Sequence, residues 1–416
     1  MKYCWCRIRW EKLYLLGGSP FCEIWLKSFP LEKSKPSTMI KLIINYKNQL
    51  FLFSPQVMKL LITCPFWLGS LLAQELKRLK LIPFDTFSRG CWVETDLKGM
   101  YQINLRSRLA NKVYIQLVSG EARTFDQLFE LIKKSDYPQR TSNTNITLKV
   151  NIQSSQLSSQ RTVQSVAHKA LLESIARIGK QQENTDELML FLEKNQCWLY
   201  LNSSWKALYQ RGYRTQAGSA PLKENLAAAM VLLSGWKFKS PLVDYFAGAG
   251  TILMEALLIA KNIAPGSHRQ FAFQHFENKN LPLRENLLQE AKNQIFSGQY
   301  QLTGYDIDPK MTQIAIQNAK NRNLEKEITF EIWDFLQKKI DFSSSTRILS
   351  NPPYGKRITS LELQKLYQKL NKSFSDQVFG WYITNLDIEP ENTQQRSSKH
   401  LFNWDEKCKF RYKKLS

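Results

Sequence analysis

From Pro241 onward, apolar runs of strand length alternate with helical stretches. They read PLVDYF, a glycine turn, TILMEALLIAKNI, a polar insertion, QLTGYDID, PKMTQIAIQNAKNRN, EITFEIWD and STRILSNPPY. Strands separated by helices of this length are joined by crossovers, which makes them parallel and covers both faces of their sheet. The spacing predicts a doubly wound α/β sheet in which ligands sit at the carboxyl ends of the strands. An Ala/Leu-rich helix over Ala220–Trp236 leads into it. FGWYITN and KCKFRYKKL suit the last two strands, with a polar loop from Glu389 to His400 between them.

Polar residues fall at those strand ends. VDYFAGAGT runs from Val243 to Thr251 and passes from a strand into a helix. Gly248 and Gly250 let the backbone turn tightly and approach a ligand, and the helix start at Thr251 suits an anionic group such as a carboxylate. The spacing is G-x-G, without the third glycine of a dinucleotide loop or the lysine of a nucleoside-triphosphate loop. Asp244, before Phe246 and the glycines, is placed to hold loop amides or a ligand ammonium. Asp306 ends the next strand, where a ribose diol is bonded in nucleoside-binding sheets. Asp308 either assists or caps the helix starting at Pro309. Asp334 ends a third strand and could accept from an adenine amino group. Singly, each aspartate would read as a cap or turn residue. Their succession at consecutive strand ends defines one crevice.

SNPPYGKRI, Ser350 to Ile358, stands at the following strand end. Exocyclic amines of nucleobases are poor nucleophiles because the lone pair is delocalised into the ring. The Asn351 side-chain oxygen and the Pro352 carbonyl could accept the two N–H groups of such an amine and localise that lone pair. Pro352 and Pro353 stiffen the turn and bring no competing N–H. Tyr354 offers a face on which a flipped-out base could stack. The motif asks for neither a metal nor a strong general base.

The 416-residue chain carries 58 basic and 36 acidic residues, a net charge of +22, which points to a polyanionic partner, nucleic acid first. Seven cysteines without a C-x-x-C pair indicate neither zinc nor a disulfide framework and fit a reducing, cytoplasmic compartment; no apolar run reaches membrane-span length. Residues 1–57 show no coherent period and read as a leader outside the folded enzyme. Met58 opens a better start, and residues 58–218 mix helices with short, antiparallel-looking strands, an α+β pattern. They include a strand at Met58, a helix over GSLLAQELKRLK, and strands at Cys91, Lys112, Thr144 and Trp198. Helices are expected at Phe125 and over TVQSVAHKALLESIARIG, ended by Gly179.

The C-terminal order resembles class I S-adenosylmethionine-dependent methyltransferases. Asp244 to Thr251 looks like their glycine-rich loop, Asp306 like their ribose-binding acid, Asp334 like the adenine-proximal residue, and Asn351 to Tyr354 like their amino-methylating tetrad. More narrowly, Met58 to the C-terminus resembles bacterial THUMP-domain RNA methyltransferases that modify guanine N2 in large-subunit ribosomal RNA. The resemblance is carried by INLRSRLANKVYIQL, TFDQLFELI, RTVQSVAHKALL, ALYQRGYR, APLKENLAAAMVLLSGW, AGAGTILMEALLIAKNIAPG and SNPPYGKRI. It implies ferredoxin-like and THUMP domains within 58–218, a Rossmann-like methyltransferase domain over 219–416, and S-adenosyl-L-methionine as cofactor. The family loop usually reads D-P-F-C-G-S-G-T; here Tyr245, Ala247 and Ala249 replace Pro, Cys and Ser, and Tyr245 is the bulky change. The N-terminal half would then be a handle for ribosomal RNA, with Lys149, Arg161, His168 and Lys169 on it. Arg106, Arg108, Arg211 and Arg214 would contact phosphate near the domain junction, and Arg269 beside the active-site edge. Methylation of guanine N2 in tRNA, methylation of adenine N6 in DNA, and a non-catalytic RNA-binding assembly role are the rival readings.

Overall fold

The computed structural model describes residues 57–214, 222–276, 281–337, 346–353, 360–373, 379–384, 396–403 and 406–413. The leader reading of residues 1–57 falls almost wholly outside them. The first half forms one seven-stranded sheet. Its elements are β1 (Met58–Thr63), α1 (Gly69–Arg78), β2 (Pro83–Phe87), β3 (Gly90–Thr95), α2 (Leu97–Arg106), β4 (Lys112–Glu121), α3 (Phe125–Lys133), α4 (Tyr137–Arg140), β5 (Ile146–Gln153), α5 (Gln160–Ser174), β6 (Asp186–Glu193) and β7 (Gln196–Asn202). The strand order is β2-β3-β1-β4-β7-β6-β5, antiparallel except for β5 beside β6. β1 through β4 with α1 and α2 make a βαββαβ unit of ferredoxin-like order. β4 then pairs with β7 and extends the same sheet into the second α+β segment.

Alternation places Leu60, Ile62, Val93, Val113, Ile115, Leu188, Leu190, Leu199 and Leu201 in the core. Asp96, Thr124 and Ser159 each accept an N–H from the first turn of α2, α3 and α5. The edge carbonyls of β5 are not left bare: Gln160 and Gln164 donate to Val150 O at 2.7 Å and Leu148 O at 2.8 Å. The helix expected to run to Gly179 stops at Ser174, and the amides of Ile178 and Gly179 both return to Ile175 O as a turn.

The second half contains α6 (Glu224–Ser234), β8 (Leu242–Asp244), α7 (Thr251–Ala260), α8 (Leu281–Asn293), β9 (Leu302–Asp306), α9 (Pro309–Lys320), β10 (Thr329–Ile332), β11 (Arg347–Ser350), α10 (Ser360–Ser373), β12 (Phe379–Thr384), β13 (Arg396–Asn403) and β14 (Glu406–Lys413). The sheet order is β10-β9-β8-β11-β12-β14-β13. The first five are parallel and β14 is antiparallel to both its neighbours. Two expectations are corrected. The polar insertion contains α8, and the stretch expected as a loop to His400 ends in β13, which pairs with β14 over its whole length. RSSKHLFN is an edge strand, and an edge strand tolerates polar residues that hide its period.

The two halves are held together by a buried polar joint. Arg211, 1 % exposed, donates to Leu208 O and Arg108 O and lies 3.5 Å from the fully buried Glu255 of α7. Tyr213 donates to the same carboxylate at 3.1 Å. Arg108 donates to Leu258 O and Ile263 O at 3.1 and 2.9 Å, and Arg269 to Ser204 O, Lys206 O and Ala207 O. Burial lowers both guanidiniums to about 10, so they remain charged at neutral pH. Arg108, Arg211 and Arg269, read from sequence as phosphate contacts, instead donate to internal carbonyls and, for Arg211, to Glu255, although Nη1 of Arg108 is buried with no acceptor among the described residues.

Candidate active site

The parallel strands β10, β9, β8 and β11 end along one edge, and the strand order reverses between β8 and β11. A crevice opens there for topological reasons. Register sets its depth: Asp244 lies level with Gly304 of β9, and Asp306 level with Ile332 of β10. Ser350 ties β11 to the glycine loop, accepting the Tyr245 N–H at 3.0 Å.

The loop is held from several sides. Asp244 accepts the Phe246 N–H at 3.0 Å, Tyr305 O accepts the Ala247 N–H at 2.8 Å, and Asn318 of α9 donates to Ala249 O at 3.0 Å. Gly248 and Gly250 have φ of +52° and +79°, both left-handed. They differ in what surrounds them. A Cβ on Gly250 would lie 2.8 Å from the Phe330 ring, so that residue is packed shut. A Cβ on Gly248 would meet nothing nearer than Met311 Cε at 4.0 Å, so its backbone faces open space. Thr251 is buried as the first residue of α7.

Asp306 is the pivot. Its two oxygens accept the Gly248 N–H at 2.8 Å and the Asp308 N–H at 3.0 Å. A carboxylate has about four acceptor positions, so two remain for a ligand. Burial raises its pKa, Asp308 adding to the rise and the two amides opposing it. Asp244 is more extreme. Burial pushes its carboxyl up to about 7, against the Phe246 amide and the Ser350 hydroxyl, with Asp306 adding to the push. Asp308 resolves as a cap: it accepts the Lys310 N–H at 2.8 Å at the start of α9. Asp334 lies two residues past β10 and accepts the Leu336 N–H at 2.8 Å.

Tyr245 does not crowd the loop. Its ring is buried against Tyr305 (5.4 Å between centroids, 13° between planes), Trp333 and Phe335. Phe246 packs on Phe335 at 5.1 Å, and the rings join a core cluster with Ile348 of β11 and Leu366 and Tyr367 of α10. Asn351 follows β11 directly. Its Oδ1 is buried, and among the described residues no donor reaches it. Pro352 is buried and Pro353 half-buried; Tyr354 lies outside the described residues.

The remaining basic residues are scattered. Arg161 and Lys169 are exposed on α5, with His168 half-buried beside them. Lys149 is exposed on β5 but alternates with Leu148 and Val150, which face α5, so it stands on the opposite face of the sheet. Arg106 donates to Gln294, and Arg214 pairs with Glu224. Sequence reading did not single out Ser350, Asn318 or Glu255. The available signal was a polar residue at a core position of an otherwise apolar segment.

Residues 211–407 match the family model described as RMKL-like, methyltransferase domain, and residues 59–114 match that of the RlmL ferredoxin-like domain. The ribosomal RNA large subunit methyltransferase K/L of Shewanella sediminis is 33% identical over 336 residues, 76% of this chain and 47% of that protein. The chain thus spans about half the length of the curated relatives it matches. Among solved structures, SMU.472 complexed with SAH superposes with a TM-score of 0.78 at 25% identity, covering 86% of this chain and 97% of that one. A Listeria monocytogenes protein described as a predicted N6-adenine-specific DNA methylase gives 0.79 at 27% identity, covering 87% and 98%. Residues 211–407 therefore carry a methyltransferase domain of the RMKL-like family, laid over the parallel sheet, and residues 59–114 an RlmL-type ferredoxin-like domain, laid over the βαββαβ unit.

Proposed function

We propose that this chain transfers a methyl group from S-adenosyl-L-methionine to the N2 amine of a guanine in large-subunit ribosomal RNA. The crevice fits such a donor. Gly248 leaves backbone room, Asp306 has acceptor capacity beyond its two amides, and the first turn of α7 carries the unpaired amides of a helix start. When bound, the donor supplies a methyl group already activated on a sulfonium. The residues of the chain then have to align and polarise the acceptor. Asp306 would bond the ribose hydroxyls, and Asp244, at the strand end, would offset a ligand ammonium. The Phe246–Phe335 side of the aromatic box would lie beneath the adenine, beside Asp334.

The observation that carries the acceptor half of the reading is Asn351 Oδ1. An amide oxygen that is buried without a donor among the described residues costs about 1–3 kcal/mol, which a substrate N–H would recover. Accepting from the target amine, it would hold the lone pair toward the methyl donor, with the Pro352 carbonyl as second acceptor. The basic composition and the α+β half, whose second segment would be the THUMP module, favour RNA over DNA as the carrier. The name of the Shewanella relatives favours ribosomal RNA over tRNA. A cytoplasmic location goes with that substrate; no described helix is long and apolar enough to cross a membrane.

The test is single-turnover transfer with Asn351→Ala. The rate should fall roughly 10²–10³-fold while donor and RNA affinities hold, because the interaction is strongest in the transition state. Transfer at the parent rate would reduce the tetrad to a turn. Donor binding without any transfer by the parent protein would leave the non-catalytic RNA-binding role.

A further inference from the structure

An aromatic knuckle stands at one end of the N-terminal sheet, and its Trp67 is turned to solvent rather than into the core. It is built by two loops, Cys64–Leu68 after β1 and the β2–β3 turn at Phe87–Gly90. The loops are clamped together: Arg89 O accepts the Cys64 N–H at 2.7 Å. A Cβ on Gly69 would lie 1.8 Å from Phe87 O, and one on Gly90 would lie 2.2 Å from Ile62 O. On this frame Phe66 and Trp67 sit 4.7 Å apart between ring centroids, and the Arg89 guanidinium lies 5.0 Å over the Phe66 ring. Trp67 is 54 % exposed and Phe87 39 %.

The backbone makes the arrangement notable. Trp67 has φ of +71°, the left-handed region, where a bulky side chain is strained. A large ring held in a costly conformation and turned to solvent contributes little to the core. Neither loop carries an acidic residue, while Arg89 supplies a cation. Asn111 donates its N–H to Thr63 O, so the knuckle lies at the sheet end from which Arg108 reaches the methyltransferase half.

We propose that Phe66, Trp67 and Arg89 form a stacking site for an unpaired nucleobase of the RNA substrate, with Arg89 contacting its phosphate. This rests on the RNA reading above and adds a second grip outside the crevice. Base–aromatic stacking is sequence-tolerant and worth roughly 1–3 kcal/mol per base, about 5- to 150-fold in affinity.

The test compares the parent protein with Trp67→Gly, Trp67→Phe and Arg89→Ala. The probes are a hairpin of large-subunit ribosomal RNA with a single-stranded 3′ extension and the same hairpin with blunt ends. Trp67→Gly removes the ring and relieves the positive φ, so its melting temperature should hold or rise while affinity for the extended hairpin falls at least 5-fold. Affinity for the blunt hairpin should stay unchanged, and Trp67→Phe should recover most of the loss. The slope of log affinity against log salt should be unaltered by Trp67→Gly and about one unit shallower for Arg89→Ala. Equal affinity of parent and Trp67→Gly for the extended hairpin would overturn the stacking site while leaving the RNA reading intact. A parent protein that binds neither hairpin at low salt would overturn both.

Discussion

Replacing Asp244 by asparagine isolates the electrostatics of the glycine loop. The side chain is 1 % exposed, and burial pushes its carboxyl up to about 7. An unfolded aspartate titrates near 3.9, and each unit of difference is worth about 1.4 kcal/mol, so the ionised side chain costs the fold roughly 4 kcal/mol. Because the folded pKa is the higher one, the native state holds an extra proton between about pH 4 and pH 7. The stability contributed by the protonated acid is complete below about pH 4 and is lost as the pH rises through 7. Asp244→Asn keeps an oxygen for the Phe246 amide and cannot ionise. Its stability advantage over the parent should therefore grow by about 3 kcal/mol between pH 5 and pH 8.5. Urea unfolding followed by circular dichroism across that range, with the denaturant slope checked for constancy, measures it. A difference that does not change with pH, or a variant less stable than the parent at pH 8.5, would refute the buried-acid argument.

Asp306→Ala removes the acceptor of the Gly248 and Asp308 amides together with the proposed ribose contacts. Calorimetry with S-adenosylhomocysteine should show at least a tenfold loss of affinity. Gly250→Ala should destabilise more than Gly248→Ala, since both meet an unfavourable φ but only Gly250 drives a methyl into Phe330 and Ala315; thermal melts of the two variants give the ranking. Arg211→Ala should cost about 3–5 kcal/mol of stability by stranding Glu255, measured by urea unfolding. Arg161→Ala with Lys169→Ala should instead leave stability within about 0.5 kcal/mol and flatten the salt dependence of RNA binding.

The crevice was legible because its polar residues stand where strand periodicity breaks, a one-dimensional signal. Asp244, Asp306 and Asn351 each follow an apolar run, and the run itself says which edge they share. The arginines were not legible in the same way. Arg211 and Arg108 look like surface cations until the fold supplies Glu255, 44 residues beyond Arg211, and the carbonyls of Leu258 in α7 and Ile263 just after it. Charge alone cannot say whether a partner is internal. The place of Tyr245, the bulky change in the loop, was hidden for a related reason: its ring is received by Tyr305 and Trp333, from another strand and the turn after a third. β13 was hidden by its polar edge composition, and α8 by the polar stretch that contains it.

The two sheets close at very different points along the chain. Every strand of the first is finished by Asn202. β8, an inner strand of the second, waits for Leu302 to begin one neighbour and for Arg347 to begin the other. Non-local pairings of this kind form slowly, because loop entropy is lost before contacts reward it, and a nascent chain leaves the ribosome N-terminus first. During synthesis the first sheet can therefore be complete while the residues of the Asn351 turn are still unmade, so the surfaces proposed for RNA arise before the pocket proposed for chemistry.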